Sequence, residues 1–259
     1  MPSAKDWRTP VDETGDDALQ YRDIAMGYLS RNSRYQADYV RALRRVKRRE
    51  ITADDATSAL VRRWGMSFHA APSSAFDPKL AIARPDLAPD NIVLARAPPD
   101  LASAQPFDVA ALGSVRAKMA LEGRLHVILA DADGDAHIWV LDSPDRPLAA
   151  MLPFGANLAI GLAAVERLRR RLRGLSAGAP PLRPPPSRRR HLLTLLRVLD
   201  GHQIGASRRE LAATLIDAAV RAFSAAEWVE SRERKRISRW LTEAIELRDG
   251  GYTRLLCGD

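Results

Sequence analysis

Apolar residues recur at helical spacing near both ends of the chain, and they form short runs in its middle. Apolar positions three and four residues apart lie on one face of an α-helix, so this spacing separates helices from strands. The spacing predicts helices over residues 16–32, 33–49, 52–64, 158–174, 191–199, 208–216 and, from about 225 or 231, up to 248. Both ends of the chain are therefore expected to be helical.

The middle of the chain has a different character. Residues 65–110 contain seven prolines, which exclude long helices there. Short apolar runs predict strands over 92–95, 125–130 and 137–141. The last two are joined by Asp-Ala-Asp-Gly-Asp at 131–135, and Asp-Gly is a hairpin signal because the primed turn needs positive φ. We therefore expect an α+β fold that is mostly helical, with a small antiparallel sheet in the middle.

These patterns divide the chain into three predicted parts. Residues 1–64 form a helical module, 65–160 a proline-rich segment with the sheet, and 161–259 a helical domain. A helix-turn-helix-like motif is expected over about 188–256. Five prolines between Pro180 and Pro186 predict a stiff, extended connector before it.

The charge is concentrated at one end of the chain. Lys and Arg number 40 against 32 Asp and Glu in total. Residues 1–161 hold 20 basic and 21 acidic side chains, whereas residues 162–259 hold 20 and 11. This asymmetry favours a polyanionic partner, with a merely solvated basic surface as the alternative.

Two predicted helices near the C-terminus carry the candidate chemistry. The first has Ser207 as N-cap and Glu210 three residues later, with small Ala212 where another helix can cross. The second, from Ser231 onward, has a predicted core stripe of Ile237, Trp240, Leu241, Ala244 and Ile245. Its opposite face is basic, and arginine on a helix can read guanine in the major groove. The predicted DNA-binding residues are Ser231, Arg232, Arg234, Lys235, Arg236 and Arg239 in the groove, with Arg208, Arg209, Arg188, Arg189 and Arg190 as phosphate anchors.

Other candidate sites are weaker. Asp131, Asp133, Asp135 and Asp142 have a calcium-loop spacing, but Ala136 replaces the required glycine, so a hairpin turn is preferred to a metal site. The five histidines show no metal-ligand spacing, and Cys257 is the single cysteine. No catalytic set is found. We expect no enzymatic activity, no cofactor and no metal.

Two features of the N-terminal part leave their role open. Several aromatic residues near the N-terminus have helical spacing that favours a core or docking role, with stacking on single-stranded bases as the alternative: Trp7, Tyr21, Tyr28, Tyr35 and Tyr39. The basic run at 41–49 permits contact with DNA, with RNA polymerase or with the C-terminal part of the chain. The chain also begins without an apolar leader, which suggests a cytoplasmic protein without a membrane partner.

Several stretches resemble one family of bacterial regulators. Those near the N-terminus are DWRTP, YLSRNSRYQADY, RRWG and ARPDLAPDNIVLARAPP, and those near the C-terminus are LLRVLDGHQIGASRRELAATLI and ISRWLTEAIELRDGGYTRLL. Together they resemble the excision activators carried on integrative and conjugative elements. The resemblance implies a transcriptional activator of excision and transfer genes. It also implies control by a small antiactivator protein that binds the C-terminal domain.

The sequence therefore predicts a DNA-binding transcriptional activator whose partner is double-stranded DNA, with RNA polymerase and an antiactivator as further partners. The alternative is a protein-interaction adaptor, the target or partner of an antiactivator, that does not itself bind DNA. A third hypothesis is an RNA-binding protein that uses the N-terminal aromatic residues. An enzyme has the least support from the sequence.

Overall fold

The structure is a computed structural model that describes residues 7–9, 19–70, 77–101, 104 and 113–258. Three helices lie near the N-terminus, and six follow the central sheet. The helices are α1 (Tyr21–Leu29), α2 (Ser33–Lys47), α3 (Ala53–Trp64), α4 (Leu158–Leu172), α5 (Pro186–Gln203), α6 (Arg208–Leu215), α7 (Ala225–Glu230), α8 (Arg232–Glu246) and α9 (Tyr252–Leu255). Short 3-10 turns span Pro78–Leu80 and Ala218–Ala222, and a π-helical turn at Leu247–Gly251 joins α8 to α9. None of these helices has both the length and the apolar character needed to cross a bilayer.

Seven strands form the two sheets of the described residues. The strands are β1 (Met66–Ser67), β2 (Ile82–Ala83), β3 (Ile92–Arg96), β4 (Val115–Leu121), β5 (Arg124–Leu129), β6 (Ala136–Val140) and β7 (Leu148–Met151). β1 and β2 form an antiparallel pair, and the other five have the order β4-β5-β6-β3-β7. The α+β fold class is thus confirmed.

The central sheet is larger than the sequence pattern predicted. The three predicted strands correspond to β3, β5 and β6, but β4 and β7 add an edge on each side. The β3–β6 pair is parallel, and every other pair in this sheet is antiparallel. β4 and β7 escape a pattern search because only Met119 and Leu121 of β4, and no residue of β7, are buried, so their apolar alternation is weak.

The predicted hairpin between β5 and β6 is confirmed. Gly134 has φ +129° in the turn, a backbone region that favours glycine. The aspartates of this turn are held by arginines: Arg116 Nε lies 2.6 Å from an oxygen of Asp135, and Arg171 Nη1 lies 3.1 Å from Asp131. The turn carboxylates therefore pair with cations of the chain. Within the described part of the chain, no group of three or more metal-ligating side chains comes together.

Helices α2 and α3 begin within one residue of their predicted starts. Asn32 accepts hydrogen bonds from the backbone N–H groups of Arg34 and Tyr35 at the start of α2. Thr52 and Asp55 form a capping box at the start of α3, and Gly65, at φ +77°, ends that helix. Helix α1 is shorter than the predicted 16–32, and residues 16–18 lie outside the described part of the chain.

One hydrophobic core joins the two ends of the chain. Helix α1 is buried along its whole length and packs in the same cluster as Leu192, Leu195 and Leu199 of α5 and Leu255 of α9. The Tyr28 hydroxyl donates a 2.7 Å hydrogen bond to the backbone oxygen of Leu192. The N-terminal module therefore packs directly against the C-terminal helices.

Helix α5 differs from its prediction at both ends. It was expected over 191–199 and to end at Gly201, but it begins at Pro186 and continues to Gln203. Proline is favoured in the first turn of a helix, so the last proline of the connector starts α5. Gly201 lies inside α5, where an added Cβ would approach Leu211 Cδ2 to 2.5 Å and the Trp7 ring to 2.9 Å. This glycine permits close packing, and it does not end the helix.

Candidate nucleic-acid interface

Helix α8 separates into a buried face and a basic face, as its sequence predicts. Ile237, Leu241 and Ala244 are fully buried or nearly so. Trp240 and Ile245 are partly buried and pack against the same clusters. The predicted core stripe of this helix is confirmed, and Glu233, which is also buried, extends the buried face by one turn towards the start of α8.

Four cations on the solvent side of α8 are exposed: Arg232, Lys235, Arg236 and Arg239. The Arg236 guanidinium lies 5.8 Å from the centroid of the Trp240 ring, close enough for a cation–π contact. Arg232 Nε lies 2.7 Å from an oxygen of Glu233, and the hydrogen bond from Arg232 lowers the pKa of the Glu233 carboxyl. The Arg232 side chain is nevertheless 90% exposed. All four cations are therefore accessible to a polyanion.

Ser231 and Arg234 determine how α8 begins. Ser231 is the last residue of the turn after α7 and also the N-cap of α8, and its hydroxyl accepts from the Arg234 N–H at 3.1 Å. The Arg234 guanidinium donates to the Val229 carbonyl at 2.8 Å. Of the two predicted starts, about 225 or 231, the second is that of α8, and residues from 225 form the separate helix α7. The side chains of Ser231 and Arg234 hold the junction between the two helices.

Helix α6 begins with the predicted capping box. The Ser207 hydroxyl accepts from the Glu210 N–H, and the Glu210 carboxylate accepts from the Ser207 N–H at 2.8 Å. Arg208 is exposed at this end. Arg209 instead donates to the backbone carbonyls of the adjacent 3-10 turn, at 3.2 Å to Val220 and also to Phe223. Of this arginine pair, Arg208 faces solvent while Arg209 stabilises the turn that follows α6.

The three neighbouring residues predicted as phosphate anchors, Arg188, Arg189 and Arg190, have different environments in the structure. These residues were expected beside the extended connector, but they lie in the first turns of α5, where successive side chains point in different directions. Arg189 is buried at 8% exposure, so the prediction of a surface role for this residue is wrong. Arg188 lies 3.6 Å from Glu243 of α8, and His191 Nε2 lies 3.1 Å from the same carboxylate. Arg190 is exposed.

A small hydrophobic cluster holds α6 and α8 together. Leu211 and Ala212 of α6 are fully buried against Ile237 and Leu241 of α8. The small side chain of Ala212 permits the close crossing that the sequence predicted. Trp7 also belongs to this cluster, and its backbone oxygen accepts from Arg197 Nε at 2.8 Å. The predicted core or docking role of Trp7 is thus confirmed, whereas its partners, about 190 residues away, could not be predicted from the local pattern.

Three family models match successive parts of the chain. Residues 6–69 match a proteobacterial transcriptional regulator-like domain, and residues 90–150 match a domain of unknown function. Residues 151–257 match a family described as "T6SS, Transcription factor, DNA binding domain". No curated protein matches the chain. Helices α4 to α9, and with them the four exposed cations of α8, lie within the DNA-binding match. The matches and the exposed cations together support a DNA-binding transcriptional regulator.

Proposed function

We propose that the protein is a transcriptional activator that binds double-stranded DNA through α8 and controls excision and transfer genes of an integrative and conjugative element. The observation that carries DNA binding is the exposed row Arg232, Lys235, Arg236 and Arg239 within the segment that matches a DNA-binding domain. The sequence resemblance to excision activators supports the proposal that excision and transfer genes are the regulated targets. The matches to regulator and DNA-binding families also favour a protein without enzymatic activity.

The positions of the predicted residues suggest different roles for them. Helices α6 and α8, held together by one cluster, form a helix-turn-helix-like pair whose second helix enters the major groove. In this arrangement Lys235, Arg236 and Arg239 reach base edges, because they occupy successive turns of the exposed face. Arg232, Arg208 and Arg190 contact phosphates. The remaining predicted residues position these elements from within the protein: Ser231, Arg234, Arg209 and Arg188.

The proposal includes two protein partners. An activator must recruit or contact RNA polymerase, and the resemblance implies a small antiactivator that binds the C-terminal domain. Deletion of the gene is expected to reduce the excised, circular form of the element, measured by quantitative amplification of the rejoined attachment site. An unchanged amount of the circular form would contradict control of excision without contradicting DNA binding.

The double variant Arg232→Ala, Arg236→Ala is expected to weaken duplex binding by roughly 10- to 100-fold at moderate salt. Each lost phosphate contact lowers the slope of log affinity against log salt by about 0.9, and a lost base contact costs about 1–3 kcal/mol. Fluorescence anisotropy with a labelled duplex across a salt series measures both quantities. Circular dichroism shows whether the helices are retained.

The matched control removes two exposed cations outside the segment that matches the DNA-binding domain, with Lys118→Ala in β4 and Arg124→Ala in β5. This control is expected to leave affinity and slope close to those of the unchanged chain. If the two double variants lose affinity equally, net charge and not α8 determines binding. If the unchanged chain does not bind duplex even at low salt, the protein is an adaptor and the proposal is wrong.

A further inference from the structure

We infer that the exposed basic end of α2 is a second contact surface for the phosphates of the same DNA duplex. This inference rests on the proposed function of α8 and extends it to the N-terminal module. The surface, called the α2 basic face, consists of Arg41, Arg44, Arg45, Lys47, Arg48 and Arg49, all of which are exposed.

The α2 basic face carries more positive charge than its carboxylates neutralise. Residues 33–50 contain seven cations and two carboxylates, Asp38 and Glu50. Asp38 lies 3.0 Å from Arg41, and Glu50 lies 3.3 Å from Arg45 and 3.8 Å from Arg48. No carboxylate partner is found for the other three cations within the described part of the chain. Those three are Arg44, Lys47 and Arg49.

The aromatic residues of α2 face the protein interior, which argues against single-stranded nucleic acid. Tyr35 is 3% exposed, and its hydroxyl lies 3.0 Å from the Ser67 hydroxyl. Its ring packs edge-on against Trp64 at 5.8 Å and lies 5.9 Å from the ring of Tyr39. Binding of single strands uses exposed rings on which bases stack, and the exposed positions of α2 offer no such ring.

The composition of the exposed positions also argues against a protein partner. The exposed residues of α2 are polar or charged except for one small apolar residue, Ala37. The buried centre of a protein interface is depleted of charged residues, and Ala37 is the one small apolar residue that the exposed positions of α2 offer for such a centre. A polar surface rich in arginine instead suits phosphate oxygens, which provide charge without requiring an apolar contact.

Helix α2 is anchored directly to the end of α8. Asn32, the N-cap of α2, donates a 3.2 Å hydrogen bond to the Arg248 carbonyl just after α8. Tyr35 packs in the same core as Ala244 and Leu247. The Tyr252 hydroxyl of α9 donates to the Trp64 carbonyl at 2.7 Å. The two basic surfaces are therefore held in a fixed relation.

The lengths of the two helices set the reach of a combined surface. From Asn32 to Arg48, and from Arg248 back to Arg232, the chain advances about 24 Å each at 1.5 Å per residue. With the Asn32–Arg248 contact between the helices included, the two basic ends are thus separated by at most about 55 Å, or roughly 16 base pairs at 3.4 Å each. One duplex is long enough to contact both ends, so phosphate contacts at α2 add to those at α8.

The test is a salt titration of the full-length double variant Arg44→Ala, Lys47→Ala with a random-sequence duplex of about 30 base pairs, roughly 100 Å long. Loss of two phosphate contacts is expected to lower the slope of log affinity against log salt by about 1.8. The variant Lys118→Ala, Arg124→Ala serves as the charge-matched control and is expected to keep the slope. Retained stability in urea shows that the α2 variant is folded.

Several outcomes would overturn the inference. If the salt slope is unchanged in the α2 variant but lower in the Arg232→Ala, Arg236→Ala variant, α8 alone binds the duplex. The α2 basic face would then be a surface for an acidic protein. An equal decrease of the salt slope in the control variant would show that net charge, and not the α2 basic face, determines the slope. Stronger binding of a single strand than of the duplex favours the stacking hypothesis. Failure of the unchanged chain to bind any duplex would refute the proposed function itself.

Discussion

Replacement of Tyr28 by alanine is expected to destabilise the protein by about 3–5 kcal/mol, because a large aromatic ring leaves a cavity in a packed core. Tyr28 is fully buried between the N-terminal module and the C-terminal helices. Its hydroxyl donates to the Leu192 carbonyl of α5 at 2.7 Å. Urea denaturation followed by circular dichroism measures the change in the free energy of unfolding.

The variant Tyr28→Phe is the matched control for this substitution. It keeps the ring and removes one hydrogen bond, so a loss of about 1 kcal/mol is expected. Since the core is shared by α1, α5 and α9, Tyr28→Ala is expected to lower the stability of both ends of the chain in one transition. If only the N-terminal helices unfold earlier, residues 1–64 and 161–259 behave as independent domains. The assignment of a shared core would then be wrong.

Features encoded within a few residues could be predicted from the sequence. The capping box of Ser207 and Glu210 depends on a spacing of three, and the structure confirms it. The hairpin at Gly134 depends on one residue that tolerates positive φ. The buried stripe of α8 depends on a helical period that its own sequence displays.

Features that depend on distant partners could not be predicted in this way. The parallel pairing of β3 with β6 joins segments that are about 45 residues apart, and no local pattern specifies parallel over antiparallel order. Trp7 completes a cluster built from α6 and α8. The sequence around Gly201 predicts the end of a helix. In the folded chain this glycine lies inside α5 and lets Leu211 and Trp7 pack closely against it, which no local pattern shows.

The candidate site shows the same division between local and distant information. The helical period of α8 was sufficient to place Lys235, Arg236 and Arg239 on the exposed face. The helical period does not predict the contacts of arginines near helix junctions, because a guanidinium donates to whichever carbonyl or carboxylate the fold brings near it. Arg209 and Arg234 donate to backbone carbonyls, and their phosphate or base contacts remain predictions. A basic residue type alone therefore does not distinguish a DNA contact from an internal support.

Stability is expected to decrease as the pH falls below about 6.5, because two buried histidines stay neutral in the folded protein. His126 and His137 lie on adjacent strands β5 and β6, with ring centroids 5.6 Å apart. Burial, with a smaller contribution from Arg22, lowers the pKa of His126 to about 3. Burial and then Arg22 and His126 lower the pKa of His137 well below its ordinary value. Among the described residues, neither ring nitrogen of His126 has a hydrogen-bond partner.

The direction of this pH dependence follows from proton binding in the folded and unfolded states. Below about pH 6.5, the unfolded histidines bind protons that the folded ones do not, so acid favours unfolding. For His126, whose folded pKa is about 3, the loss is about 1.4 kcal/mol per pH unit. Asp23 acts in the opposite direction, since burial raises its pKa to about 6 and the folded protein binds its proton first. From about pH 6 to 5, the two histidines outweigh the one aspartate, so stability falls with acid.

Urea denaturation at a series of pH values from about 7 to 4.5 measures this slope. The variant His126→Leu removes one titrating group and is expected to lower the loss of stability between about pH 6 and 5 by about 1.4 kcal/mol per pH unit. The variant Asp23→Asn preserves an acceptor for the Gln20 N–H and is expected to increase that loss by about 1.4 kcal/mol per pH unit. Because each variant changes the slope in its own direction, a loss of packing alone cannot reproduce the pair of results. A slope that is the same in all three proteins would show that these buried groups do not control acid stability.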